Sequence, residues 1–151
     1  MSRIRSKDTK PELIVRSLLH RSGIRFSLHG RGIPGAPDLI LRKYKTVIFV
    51  HGCFWHQHEG CIEASKPKTR SEYWQSKLSA NLARDRRNQD TLVELGWNII
   101  IVWECEVLRD PVGIIQKIRE ELGLPAFTFS GVDRRSILKE SHKKLIKKLG
   151  S

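Results

Sequence analysis

The stretch His51-Gly52-Cys53-Phe54-Trp55-His56-Gln57-His58-Glu59-Gly60-Cys61 constrains this chain more than any other. These eleven residues carry three histidines, two cysteines and two adjacent large aromatics. They follow Val47-Ile48-Phe49-Val50, a continuous apolar run that reads as a buried strand. Cysteine and histidine seldom cluster for packing alone, so a strand ending in this many ligands is expected to build a site. Phe54-Trp55 has no evident core to fill, and its expected role is to wedge into a partner.

The 151 residues suit one domain with a respectable core. A net charge of +12 predicts a polyanionic partner, nucleic acid foremost, against the plainer alternative of a merely basic soluble protein. No apolar run reaches the ~18 residues of a membrane span, and Met1-Ser2-Arg3-Ile4-Arg5 leads into polar sequence, unlike a signal peptide. The expectation is a cytoplasmic protein with no membrane partner. In that reducing compartment the three cysteines read better as metal ligands than as disulfides.

Thr9-Lys10-Pro11-Glu12 has capping-box spacing, with proline in the first turn of a helix that buries Leu13, Ile14, Leu18 and Leu19 and stops at Gly23. Ile24, Phe26 and Leu28 alternate as a strand, and residues 30–37 form a loop. Asp38 to Leu41, a basic turn over 42–45 and Thr46 to Val50 predict a hairpin. A long helix follows from about Ser71 to Leu95, with Leu78, Leu82, Leu92 and Leu95 inward. Trp74, Lys77, Asn81 and Asp85, spaced by three and four, share another face. Trp97 to Trp103 reads as a second buried strand, and Asp110-Pro111 caps a helix ending near Gly123. From Ser136 to Leu149 the tail fits a basic amphipathic helix, either a phosphate-docking arm or a solvated terminus.

Cys53, His58 and Cys61 supply Cys-x4-His-x2-Cys, one ligand short of a zinc tetrahedron. Cys105 lies just past the second strand. If the two strands are neighbours, it arrives beside Cys53 and completes a Cys3His site, worth on the order of 10 kcal/mol of folding free energy in small zinc modules. Spacing does not choose among His51, His56 and His58 for the histidine ligand. Pro37-Asp38 opening a strand, with Glu12 on a preceding helix, is a layout that nucleases use to hold magnesium. Glu12 also has a complete structural explanation as a capping residue.

Pro34-Gly35-x-Pro37-Asp38, the His51–Cys61 motif, Tyr73-Trp74, Asn81-x-x-Arg84-Asp85-Arg86-Arg87, Leu95-Gly96-Trp97 and Val102-Trp103-Glu104-Cys105 occur in this order. Together they resemble the very-short-patch repair (Vsr) DNA mismatch endonucleases, over residues 1–124. The resemblance implies an α/β fold of the type II restriction-endonuclease (PD-(D/E)xK) class, with a mixed sheet flanked by helices and a structural zinc. It leaves 125–151 as a basic extension. The implied activity is a Mg2+-dependent nick 5′ to the thymine of a T·G mismatch, the product of 5-methylcytosine deamination, made by a monomer on double-stranded DNA.

Position by position, the resemblance makes Asp38 the magnesium-binding aspartate and Glu12 the carboxylate near the metal's water shell. His51 and His56 match the active-site histidines, and Asp85 the acid paired with His56. Cys53, His58, Cys61 and Cys105 match the zinc ligands. Phe54 and Trp55 resemble the intercalating aromatics, with Trp74 near that layer. Lys77 and Asn81 resemble mismatch-reading residues, and Met1 aligns with a methionine that wedges from the minor groove. Inserting rings costs a few kcal/mol of unstacking, least at a weakly stacked mismatch. Packing against the zinc loop is the alternative for Phe54-Trp55, and a surface ion pair the alternative for Asp85.

The chain departs from the family pattern in places. Val50 replaces a threonine whose backbone carbonyl meets the magnesium, a change that should be tolerated. Val50-His51-Gly52 stands where restriction nucleases carry an acidic-x-Lys half-motif. Two residues, not one, separate His58 from Cys61, and family members usually carry further sequence before Met1. Two other functions stay open: a restriction-type nuclease on matched DNA, and an inactive zinc-containing module that binds distorted DNA.

Overall fold

A computed structural model describes residues 9–28, 32–65 and 68–127. Met1 and the tail beyond Phe127, including the expected helix at 136–149, lie outside the described residues. The chain forms two compact units, one drawn from Met1–Arg25 and Glu106–Ser151, the other from Phe26–Cys105.

In the first unit, α1 (Lys10–Arg21) starts as expected, with the Thr9 side chain accepting from the Glu12 N–H at 3.4 Å. Its buried stripe is Ile14, Val15, Leu18 and Leu19; Leu13, expected inside, is only half-buried and Val15 takes its place. The later helix of this unit, α4 (Pro111–Glu121), packs on α1 and is capped by Asp110, which accepts from the Gly113 N–H at 3.1 Å. Buried Arg119 donates to the carbonyls of Ser22 (3.0 Å) and Pro125 (2.8 Å), so its charge satisfies the end of α1 instead of standing alone.

The expected strand from Ile24 shrinks to β1 (Ser27–Leu28). The Ile24 N–H bonds the Leu19 carbonyl (2.9 Å) and the Gly23 N–H bonds that of His20 (3.1 Å), closing α1 in a Schellman motif. Ile24 therefore finishes a helix and cannot start a strand. The same pair of bonds, around Gly96 at φ +87°, ends the long helix α2 (Ser71–Glu94) and engages the Trp97 N–H. The next strand, β4 (Asn98–Trp103), accordingly begins one residue later than expected.

The second unit is built on a four-stranded sheet in the order β1, β2 (Leu39–Leu41), β3 (Thr46–His51), β4. The expected hairpin is present: β2 and β3 are antiparallel, joined through a 3-10 turn and Lys45 at φ 50°. β3 and β4 run parallel, pairing Thr46 with Asn98 through to His51 with Trp103. One face of this sheet carries Ile40, Val47, Phe49, Ile99 and Ile101 against Leu92 of α2. Alternation places His51 and Trp103 on the same face, one step further along. Gly35, at φ +78°, sits in the Pro34-Gly35 turn; a Cβ there would lie 3.0 Å from Asn88 Cβ and 3.3 Å from the Phe49 ring.

Only Leu78 and Leu92 of α2 are buried, whereas Leu82 and Leu95, expected inward, are exposed. Twenty-four residues make a helix about 36 Å long, which overhangs strands of about 20 Å. Mid-helix, the inward positions are the polar Asn81 and Asp85, so Leu82, turned about 100° from Asn81, points to water. The short helix α3 (Glu104–Arg109), directly after β4, was not expected from sequence. Among the described residues no helix is long and apolar enough to cross a membrane. The observed class is mixed α/β.

Candidate active site and metal cluster

Everything in the site follows from the end of β3. Beyond His51 the chain turns on itself: the His56 N–H bonds the Gly52 carbonyl (3.1 Å), His58 bonds Cys53 (2.9 Å) and Cys61 bonds His58 (3.2 Å). These turns return His58 to Cys53, while the parallel register sets Cys105 two residues past Trp103, as Cys53 is past His51. His58 Nδ1 lies 3.7 Å from Cys53 Sγ and 3.4 Å from Cys105 Sγ. Ligand atoms of Cys53, His58, Cys61 and Cys105 all lie within 4.8 Å of one another.

Tetrahedral zinc would separate sulfur and nitrogen ligands by about 3.6 Å, so these four side chains fit a metal ion of that size. Of the three competing histidines it is His58 that joins the cysteines, with its ring stacked on Trp103 (4.2 Å between centroids, 9° between planes). Burial above all pushes the Cys53 thiol up to about 12. A cation entering here would have to displace that proton.

The other two histidines form a separate group. His51 and His56 stack nearly parallel, with centroids 3.7 Å apart and planes at 6°. His56 Nδ1 lies 2.6 Å from Asp85 Oδ2, on the α2 face that the sequence spacing assigned to Asp85. Burial raises the Asp85 carboxyl, but the His56 hydrogen bond and charge, with His51 and Arg84, outweigh it and leave Asp85 below its ordinary range. His51 is 5 % exposed; burial first, and then His56, hold its pKa down at about 4, against a small upward pull from Asp85. His51 can therefore offer neutral imidazole at neutral pH, while Asp85 orients the His56 ring for proton transfer.

Asp38 stands at the head of β2, and its Oδ2 accepts the Val50 N–H at 2.7 Å. The hairpin thus fixes a half-buried carboxylate one residue along β3 from His51. Glu12 belongs to the first unit, where it is buried and paired with Arg16 Nη2 at 2.6 Å.

Phe54 and Trp55 meet edge to face (5.1 Å) and both reach Trp74 of α2, at 5.5 and 5.9 Å. They pack on the helix and one another rather than filling the sheet core. Lys77 Nζ lies 5.6 Å from the Trp55 ring, and Asn81 Nδ2 donates to the Trp55 carbonyl at 3.4 Å. The helix face predicted from spacing therefore meets the aromatic pair at Trp74, Lys77 and Asn81, and His56 at Asp85.

Sequence reasoning gave no role to Gln57 or Trp103. Gln57, at φ 48°, donates through Nε2 to the carbonyls of Phe54 (2.6 Å) and Ala64 (3.2 Å), tying down the aromatic turn. Nothing local signals this. Trp103 could have been found by extending the parallel register to His51.

The family model described as DNA mismatch endonuclease Vsr matches residues 1–62. A type II nicking enzyme, V.XorIIP, of Xanthomonas oryzae pv. oryzae is 50% identical over 107 residues, covering 71% of this chain and 78% of that protein. V.NmeAIP, a type II nicking enzyme of Neisseria meningitidis, is 43% identical over 71% of this chain and 76% of its own length. The DNA mismatch endonuclease Vsr of Escherichia coli is 45% identical over 105 residues, 70% of this chain and 67% of that protein.

Proposed function

The chain belongs to the Vsr family of DNA mismatch endonucleases, and from that premise we propose that it nicks one strand of duplex DNA 5′ to the thymine of a T·G mismatch, with Mg2+ held at Asp38. The observation that carries this reading is the oriented His56–Asp85 pair, 2.6 Å apart, in one unit with the Asp38 carboxylate and the aromatic cluster. The names of the nicking relatives support cutting of a single strand.

Asp38 and the Val50 carbonyl are the proposed magnesium ligands; a hard cation there would neutralise charge building on the phosphate. With His56 Nδ1–H donating to the Asp85 carboxylate, the opposite ring nitrogen is left to accept a proton from the attacking water. Neutral His51 flanks it as a partner for the phosphate. Glu12 is proposed as the further acid near the metal's water shell.

Phe54 and Trp55, braced on Trp74, are the proposed wedge, inserted where a mismatch makes unstacking cheapest. Lys77 and Asn81 are proposed to read the mismatch, and Met1 to enter from the opposite groove. Cys53, His58, Cys61 and Cys105 are proposed to hold structural Zn2+, and the fold to be of the PD-(D/E)xK class. In this reading the enzyme acts as a monomer in the cytoplasm.

Duplexes that differ only in T·G, G·C or A·T at one position, incubated with Mg2+, test the reading. A nick confined to the T·G duplex and abolished by Asp38→Ala supports it. Equal cutting of matched duplexes points to a restriction-type enzyme, and binding with no nick to an inactive module.

A further inference from the structure

We propose that His51, His56 and Asp85 form a second metal site, for a transition cation such as Zn2+ or Co2+ rather than Mg2+, and that filling it switches the nuclease off. The switching rests on the functional reading above; the binding does not.

Their candidate ligand atoms lie within 4.8 Å of one another, as close as those of the cysteine cluster. Two imidazoles are borderline donors, which favour zinc, cobalt or nickel and tolerate a carboxylate beside them, whereas magnesium prefers an all-oxygen shell. His51 is almost wholly buried, and among the described residues no group hydrogen-bonds its Nδ1. A buried ring nitrogen of this kind ordinarily has a partner. Its ring lies between Phe49 (5.6 Å) and Trp103 (5.2 Å) and flat against His56, so the walls around it are largely apolar.

Binding breaks the His56 Nδ1–Asp85 hydrogen bond. Asp85 and one in-plane nitrogen of each imidazole would replace water on the ion, the two rings turning out of their stack to face it, and each ring would keep its single N–H on the other nitrogen. The metal then engages the nitrogen lone pairs that would otherwise take a proton from water. Free transition metal beyond the one ion held by the cysteines would thus inhibit the enzyme.

The test uses full-length protein carrying one zinc, in excess Mg2+ so that the Asp38 site is occupied by a hard cation. Co2+ is added, and uptake is followed by equilibrium dialysis and visible absorption. The expected result is one further equivalent, with d–d bands but no thiolate charge-transfer band, lost in Asp85→Asn and weakened in His56→Asn. Uptake that stops at the first ion, a second ion retained by both variants, or a thiolate band on it overturns the site. In parallel, nicking of a T·G duplex should fall in step with the second equivalent; undiminished nicking at full uptake overturns the switch. If no duplex is nicked under any condition, the mismatch reading fails while the dialysis result still decides the metal site.

Discussion

Asp85 Oδ2 sits 2.6 Å from His56 Nδ1 although 29 residues separate them in the chain, and Asp85 is half-buried among basic neighbours. An aspartate in Arg84-Asp85-Arg86-Arg87 could have served a solvated ion pair; here it faces a histidine instead. Asp85→Asn keeps the shape but loses the charge that favours one ring tautomer and stabilises the protonated ring. The expected outcome is a roughly 100-fold fall in kcat for nicking, within the range of general-base contributions, with metal content unchanged. Single-turnover kinetics beside elemental analysis checks it; an undiminished rate would remove Asp85 from the mechanism.

His51 makes stability pH-dependent. Its pKa falls from 6.5 to about 4 on folding, so between those values the unfolded chain binds a proton that the folded chain refuses. Stability should be level above about pH 6.5 and fall as pH drops towards 4, by at most about 3 kcal/mol. Asp85 acts in the same sense lower down: its depressed pKa stabilises the fold above the ordinary carboxylate range, and that contribution is lost on further acidification. Urea midpoints from about pH 7.5 to about pH 5, for wild type and His51→Leu, isolate the histidine, since the pH response of the cysteine cluster is common to both. Parallel curves would contradict it.

Gln57 combines a left-handed backbone with two side-chain hydrogen bonds to carbonyls. Gln57→Ala keeps the strained φ and loses both bonds, so it should destabilise by about 1–2 kcal/mol. Gln57→Gly loses the same bonds but relieves the backbone, and should cost about 1 kcal/mol less than alanine. Chemical denaturation ranks the two; alanine proving the milder change would show that the backbone conformation is not strained.

On α2, Leu92 is fully buried while Leu82 is exposed. Leu92→Ala should cost about 2–5 kcal/mol. Leu82→Lys should stay within about 0.5 kcal/mol of wild type. A large penalty at Leu82 would mean that this side of the helix is covered in solution.

Much of this could be read directly from sequence because it is local. The caps at Thr9 and Asp110, the glycine that ends α2, the hairpin around Arg42-Lys43-Tyr44-Lys45 and the ligand-rich turn after β3 each depend on a few consecutive residues. The strand from Ile24 was misread because apolar alternation does not reveal that a backbone N–H is already engaged in closing a helix. Leu82 and Leu95 were misplaced because periodicity gives the faces of a helix but not which face finds a neighbour.

The site itself depended on distance in space. Spacing left three histidines equivalent; the turns from Gly52 to Cys61 bring His58 to the thiols, and alternation along β3 turns His51 towards α2. The parallel pairing of His51 with Trp103 carries Cys105 to Cys53 across more than fifty residues, and the rotation of α2 presents Asp85 to His56. Sequence thus determined the ligands, the carboxylates and the aromatic pair as chemical types, along with the local turns that hold them. Tertiary structure decided which of them meet, because strand register and helix rotation are set by burying the whole sheet face and not by the residues of the site.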